Sequence, residues 1–153
     1  MKVYRIRKDA KLPHKAHATD AGYDLFYCPD GSQRKLYDTP DFHIPPRASR
    51  VLPTGIKVEI PSNTMLEIKN KSGIASKRQL IVGACVVDCG YDGEVFVNLH
   101  NVGETTQVIK PGQKMAQCVL IPLIDSGIEE SFEDDINNNS ARGDGALGST
   151  GDF

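Results

Sequence analysis

Apolar and polar residues alternate with period two over short stretches of this chain, and Gly or Pro closes nearly every stretch. Gly55-Ile56-Lys57-Val58-Glu59-Ile60 shows the pattern: Ile56, Val58 and Ile60 fall on one face, Lys57 and Glu59 on the other, as in a half-buried strand. Pro61-Ser62-Asn63 predicts a turn and residues 64–69 the next strand. Residues 2–7 predict a short strand, 8–20 a polar loop, 21–27 a strand and 30–39 a polar surface excursion. Pro45 and Pro46 confine residues 42–48 to edge strand and turn, because proline has no N–H to give a ladder. Residues 106–109 lead into the turn Lys110-Pro111-Gly112-Gln113, and 114–122 form the last long strand. Only residues 72–78 predict a helical turn in the body of the chain. So many short, punctuated strands predict an all-β sandwich or jelly roll. With helix nearly absent, an α/β nucleotide fold is disfavoured, and any phosphate site must be built from loops and side chains.

The most informative stretch runs from Val86 to Leu99, with the apolar residues 81–87 leading up to Asp88. Two apolar arms flank Cys89-Gly90-Tyr91-Asp92-Gly93, and the central Asp-Gly predicts a hairpin connection between them. Asp88 closes the incoming arm. A carboxylate at the end of an apolar strand is expected to be partly shielded from water, a setting that suits a general base. Tyr91 adds a flat ring at the mouth of the same hairpin. A base, a ring and strand backbone in one place suggest a small-ligand site, although taken alone the stretch is also what a solvated turn looks like.

With 153 residues the chain is one domain with a real core. Its 18 Lys and Arg against 20 Asp and Glu, net −2, argue against a dedicated nucleic-acid or membrane surface. No run approaches transmembrane length and the first residues lack a signal-peptide core, so a cytoplasmic or nuclear protein is expected. The four cysteines fit neither zinc spacing nor a secreted disulfide framework, and His14 and His17 lack an evident third ligand. The composition divides the chain into a β domain, 1–132, and an arm, 133–153, with little capacity to form a core. A Gly-rich arm with Arg142, Ser149 and Thr150 is either plain disordered tail or a flexible segment that orders on an anion.

Five stretches, in order, resemble the five motifs of the homotrimeric dUTPases (deoxyuridine triphosphate nucleotidohydrolases). They are Asp20-Ala21-Gly22-Tyr23-Asp24-Leu25; Lys71-Ser72-Gly73-Ile74-Ala75; residues 82–88 continuing through Tyr91-Asp92-Gly93-Glu94; residues 111–117; and residues 142–151. Each is modest alone, and the ordered set is specific. The resemblance implies a distorted jelly-roll subunit and a trimer whose active sites lie between subunits, hydrolysing dUTP to dUMP and pyrophosphate. It assigns Asp88 to the water that attacks the α-phosphorus. Lys71, Ser72, Gly73 and Gln117 match phosphate-side positions. Main-chain groups around Cys85, Val86 and Val87, with Phe96, match the uracil site, and Tyr91 matches the ring beneath the deoxyribose. Arg142, Leu147, Gly148, Ser149 and Thr150 would close over the substrate. The implied cofactor is Mg²⁺, whose waters Asp24 would accept, in keeping with an ion that dehydrates reluctantly.

Three positions depart from the family pattern. Lys71 stands where Arg is usual, losing bidentate geometry. Asp92 reverses a charge, and Leu147 replaces an aromatic residue that would stack on uracil. These departures keep open a catalytically weak, nucleotide-gated binding protein. A dCTP deaminase of the same fold group is disfavoured by the complete arm, and a plain β-sandwich module would leave Asp88 and the arm unexplained.

Overall fold

The computed structural model describes residues 1–32 and 38–132. Their secondary structure is eleven strands and one short helix: β1 Lys2–Arg5, β2 Tyr23–Phe26, β3 Phe42–Ile44, β4 Ser49–Pro53, β5 Ile56–Glu59, β6 Thr64–Lys69, α1 Ser72–Arg78, β7 Leu80–Val82, β8 Val86–Val87, β9 Phe96–Asn101, β10 Gln107–Ile109 and β11 Lys114–Pro122. A four-stranded sheet in the order β2-β11-β6-β8 and a three-stranded sheet in the order β4-β9-β7 are accompanied by the pairs β1-β5 and β10-β3. Every pairing is antiparallel. The fold is therefore all-β, as the alternation predicted. No helix among the described residues is long and apolar enough to cross a membrane.

The inward faces of the sheets share one core. Leu66 and Ile68 of β6, Val97 and Leu99 of β9, Ile56 of β5, Ile44 of β3 and Met115 of β11 are all buried within it. β9 shows the parity most clearly, with Val97, Leu99 and Asn101 buried and Phe96, Asn98 and His100 facing outward. Buried Asn101 is satisfied by donating to the Ile44 and Thr105 carbonyls, at 2.9 and 2.8 Å. Proline-limited β3 pairs with β10 alone. α1 is capped by Gln79, whose N–H closes the last helical bond to the Ala75 carbonyl and whose left-handed backbone then turns the chain away, while Lys77 and Arg78 complement the last turn.

Two local features differ from expectation. β4, residues 49–53, is a strand that the sequence did not announce. More consequentially, the residues next to the Asp-Gly turn do not pair across it: Val86 and Val87 join β6, and pairing between the two arms is confined to their outer ends. β8 pairs with β6 and β9 pairs with β7 and β4, so residues 88–95 pass from one sheet to the other. The true ladder partners are β7 and β9, with Ile81 opposite His100. Gly83 stands where the incoming arm leaves its ladder: its N–H still donates 3.0 Å to the Asn98 carbonyl, and a Cβ there would lie 2.1 Å from Asn98 Oδ1, so glycine lets the chain pass close over that side chain.

Candidate active site

β11 places the first group of functional side chains. Lys114 and Gln117 are three residues apart, which in an unbroken strand puts them on opposite faces. A bulge between Lys114 and Ala116 inserts Met115 as the extra residue and flips that parity. Met115 and Ala116 both point into the core, and Lys114 joins Gln117 on the outward face opposite β2. Asp24 of β2 is level with Gln117, which is in turn level with Lys69 of β6. Chain reversal after Lys69 then brings in Lys71 and the start of α1.

The result is a buried carboxylate between two ammonium groups. Lys71 donates to Asp24 Oδ1, and Lys114 Nζ lies 2.6 Å from Asp24 Oδ2. Asp24 is only 3% exposed. Burial alone would raise its pKa, but Lys114 and Lys71 outweigh burial and hold the carboxyl below its ordinary 3.8. One negative and two positive charges leave a local surplus of one cation, the polarity that receives a phosphate chain. Gln117 donates 2.9 Å to the Asn70 carbonyl and fixes the segment entering α1. Its Oε1 lies 2.4 Å from where a Cβ on Gly22 would stand, so a side chain at 22 would displace Gln117 from this position. Gly73, by contrast, would direct a Cβ into open space, so nothing in this chain's own packing calls for a glycine there. The neighbouring Cys118 thiol is pushed up to about 12 by burial and by the Asp24 charge, which leaves it inert.

Asp24 gives a pH-dependent stability of definite sign. A carboxyl with a lowered folded pKa stabilises the fold above its unfolded value, and that contribution disappears as pH falls through the folded value. The urea midpoint is expected to drop between about pH 5 and pH 2 more steeply for the native chain than for Asp24→Asn. Equal slopes for the two proteins would contradict the ion-pair assignment.

The second group lies around β8. Val86, Val87, Asp88, Tyr91 and Phe96 line one pocket of about 400 Å³ together with Ala84, Glu94 and Asn98. β8 is an outer strand of its sheet. Because Ile68 N–H donates 2.7 Å to the Cys85 carbonyl, alternation along an antiparallel ladder makes 66/87 the next hydrogen-bonded pair and 67/86 the unbonded one. The N–H and C=O of Val86 therefore face away from β6, an adjacent donor and acceptor on an open strand edge. Tyr91 turns back over its own loop, its N–H 3.2 Å from the Asp88 carbonyl and its hydroxyl donating 3.0 Å to the Glu94 carbonyl. A Cβ on Gly93 would sit 2.3 Å from that hydroxyl.

Asp88 itself is exposed, so the shielding expected at the end of an apolar strand is not supplied by this chain. The strand is two residues long and lies at a sheet edge, which leaves its last carboxylate in solvent. Nor does the chain bring its two groups together. Asp24 is on β2 level with Lys69, whereas Asp88 follows Val87, level with Leu66 on the far strand. At ordinary strand spacings they are roughly 20 Å apart, beyond the reach of one triphosphate.

Two residues that sequence reasoning passed over belong to these groups. Lys114 was hidden by the parity change at the bulge. Asn98 braces the pocket wall: its Oδ1 is 3.3 Å from the Ala84 N–H and 2.9 Å from His100 Nε2, and its Nδ2 is 3.3 Å from the Arg50 carbonyl. Its only sequence signal is a polar residue on the outward face of an apolar strand. Asp92, the reversed charge, is exposed and lines a groove with Lys2, Lys57 and Glu59. Arg142, Leu147, Gly148, Ser149 and Thr150, like the whole 133–153 arm and the middle of the 30–39 excursion, lie outside the described residues.

A family model described as dUTPase matches residues 8–151. The chain is 38% identical to the deoxyuridine 5'-triphosphate nucleotidohydrolase of Gloeothece citriformis, covering 99% of this chain and 96% of that one. It is 37% identical to the enzyme of the same name from Clostridium tetani, with the same two coverages, 99% and 96%. Among solved structures, a mutant dUTPase of Staphylococcus bacteriophage 80alpha with dUpNHpp superposes with a TM-score of 0.83 at 24% identity, covering 98% of this chain and 97% of that one. A mutant dUTPase from phage phi11 of S. aureus, which coordinates a structural Mg(II) ion, gives 0.74 at 24% identity over 86% of this chain and 97% of its own. These two likenesses speak to the fold. The match over residues 8–151, together with the full-length relatives, makes the chain a member of the dUTPase family.

Proposed function

We propose that the chain is a hydrolase converting dUTP and water to dUMP and pyrophosphate, at sites completed between copies in a homotrimer. What supports this most directly is the division of labour within one chain: two lysines gathered on Asp24 of one outer strand, β2, and a carboxylate-bearing pocket at the other, β8, in a member of the dUTPase family. Each half is usable only if a second copy brings its complement.

In this reading the pocket takes the nucleoside. Uracil offers one N–H between two carbonyl oxygens, and the outward N–H and C=O of Val86 supply one donor and one acceptor, with Cys85 and Val87 on either side. Cytosine would present a donor where uracil has an acceptor, leaving a buried group unpaired at a cost of about 1–3 kcal/mol. Phe96 walls the base, and Tyr91 packs beneath the deoxyribose, leaving no room for a 2'-hydroxyl. Asp88 takes a proton from a water that attacks the α-phosphorus. The new P–O bond forms as the bond to the bridging oxygen breaks, and that electron pair leaves with pyrophosphate.

The phosphate chain falls to Lys71, Ser72, Gly73 and Gln117, with Lys114 beside them. Arg142, Gly148, Ser149 and Thr150 close over it with charge-assisted hydrogen bonds, and Leu147 covers the base without stacking on it. The residues present also suit Mg²⁺. Asp24, held between Lys71 and Lys114, is a hard carboxylate donor suited to accept hydrogen bonds from an ion's waters. No three His, Cys, Asp or Glu side chains gather among the described residues, so the fit is to an ion that keeps its waters rather than to a protein cage. The chemistry such an ion would supply is charge neutralisation on the phosphate chain. The activity belongs to the cytoplasm, or to the nucleus in a eukaryote.

Incubation with dUTP, dCTP, dTTP and UTP in the presence of Mg²⁺, followed by assays for pyrophosphate and ammonia, tests the proposal. Pyrophosphate from dUTP alone is expected. Ammonia from dCTP would point to a deaminase, and tight dUTP binding without product to a nucleotide-gated binding protein.

A further inference from the structure

The loop that carries Asp88 and Tyr91 is held at its far end by a pair of charges that the proposed chemistry does not use. Arg7, just after β1, grips Glu94 in a fork: Nη1 lies 3.0 Å from Oε2, and Nη2 donates to Oε1 and, at 3.1 Å, to the Cys28 carbonyl. Glu94 Oε1 also accepts the Gly55 N–H at 2.7 Å. The two side chains are 24% and 14% exposed, so the pair is largely out of water. Such a pair holds geometry strongly, because loss of either partner strands the other. The carbonyl of the same Glu94 accepts the Tyr91 hydroxyl, and Tyr91 N–H returns to the Asp88 carbonyl. Next along the chain, Val95 N–H donates 2.9 Å to the Ile56 carbonyl. An unbroken path of contacts thus runs from Arg7 through Glu94 to the Tyr91 ring and to the main chain of Asp88. Glu94 also lines the pocket that both of them face.

We infer that Glu94, clamped by Arg7, is a positioning residue that fixes the Tyr91 ring and so sets the discrimination between 2'-deoxy and 2'-hydroxy nucleotides. The inference rests on the dUTPase reading for the identity of the sugar. Glu94 touches no reacting atom. It acts by holding its own carbonyl where the Tyr91 hydroxyl must bond, and a ring displaced by even a fraction of its width opens space beside the sugar.

Glu94→Gln keeps an oxygen for Gly55 and removes the charge that Arg7 grips; Arg7→Lys keeps the charge and removes the fork. In both full-length variants, amide hydrogen exchange is read across the loop 88–95 and, as an internal control, across β11. The kcat and KM for dUTP and for UTP are measured alongside. In Glu94→Gln, loop exchange is expected to quicken about tenfold with β11 unchanged. The kcat/KM for dUTP is expected to fall by up to about 10²-fold, the scale of a misplacement near 1 Å, while UTP loses less, so that selectivity narrows about tenfold. Arg7→Lys should fall between this variant and the native chain. Unchanged loop exchange, a uniform rise that includes β11, or a loosened loop with native selectivity would each overturn the inference. If the native chain releases no pyrophosphate from dUTP, the dUTPase reading fails instead. The ratio of dUTP to UTP affinities, with the loop exchange, then decides the role of Glu94.

Discussion

Replacing Asp88 with asparagine is expected to lower kcat for dUTP by about 10²–10⁴-fold, the contribution of a positioned general base, with the substrate dissociation constant within a few-fold of native. The substitution keeps the shape of the side chain and an oxygen to hold a water, but an amide cannot take the water's proton at neutral pH. Binding survives because Val86, Phe96 and Tyr91 hold the base and sugar by other means, and because removing a negative charge beside a triphosphate does not oppose its approach. Single-turnover kinetics with an independent binding measurement separate the two effects. A variant that turns over at near-native rate would remove Asp88 from the chemistry. One that fails to bind would make it a ligand contact rather than a base.

Asp24→Asn is expected to act on the phosphate side, lowering activity about 10–100-fold, the usual cost of losing a carboxylate that orients a metal's shell. Here the carboxylate has two tasks. It separates the ammonium groups of Lys71 and Lys114, and it is the anionic oxygen pair of the cluster that can accept from a metal-bound water. The amide serves the lysines poorly and accepts a water less strongly. A higher Mg²⁺ concentration at half-maximal rate should therefore accompany the loss, whereas Asp88→Asn should leave that concentration near native. Identical Mg²⁺ dependence in both variants would contradict the division of roles.

Sequence legibility followed the range of the forces involved. β6 coincides with the predicted 64–69, and β5 and β11 fall where alternation put them, because parity is local and one face of each strand meets the core. The one predicted helical turn became α1 at the expected residues. β4 escaped because Ser49, Arg50 and a terminal Pro53 dilute its apolar signal, and its stability comes from pairing with β9. The hairpin was misassigned for a related reason. An Asp-Gly signal shows where the chain reverses but not which arm it rejoins, and Gly83 let the incoming strand change sheets before the turn. Asp24, Lys71 and Gln117 were named in advance and do gather at one place, but Lys114 needed the bulge at Met115 to reach them. The shielding expected for Asp88 depends on what packs against an outer strand, which no single chain encodes locally.

Mixed subunits test the central claim most directly, that no one chain completes an active site. Asp24→Asn and Asp88→Asn chains, each expected to keep about a tenth of the native activity or less alone, are combined in equal amounts, unfolded and refolded together. If Asp24 and Asp88 of a site come from different copies, random assortment returns both native carboxylates to about one site in four, and activity should recover toward that fraction. If the mixed assemblies form, shown by mass with one of the two chains isotope-labelled, and stay as inactive as their parents, both carboxylates serve within one chain and the account is wrong.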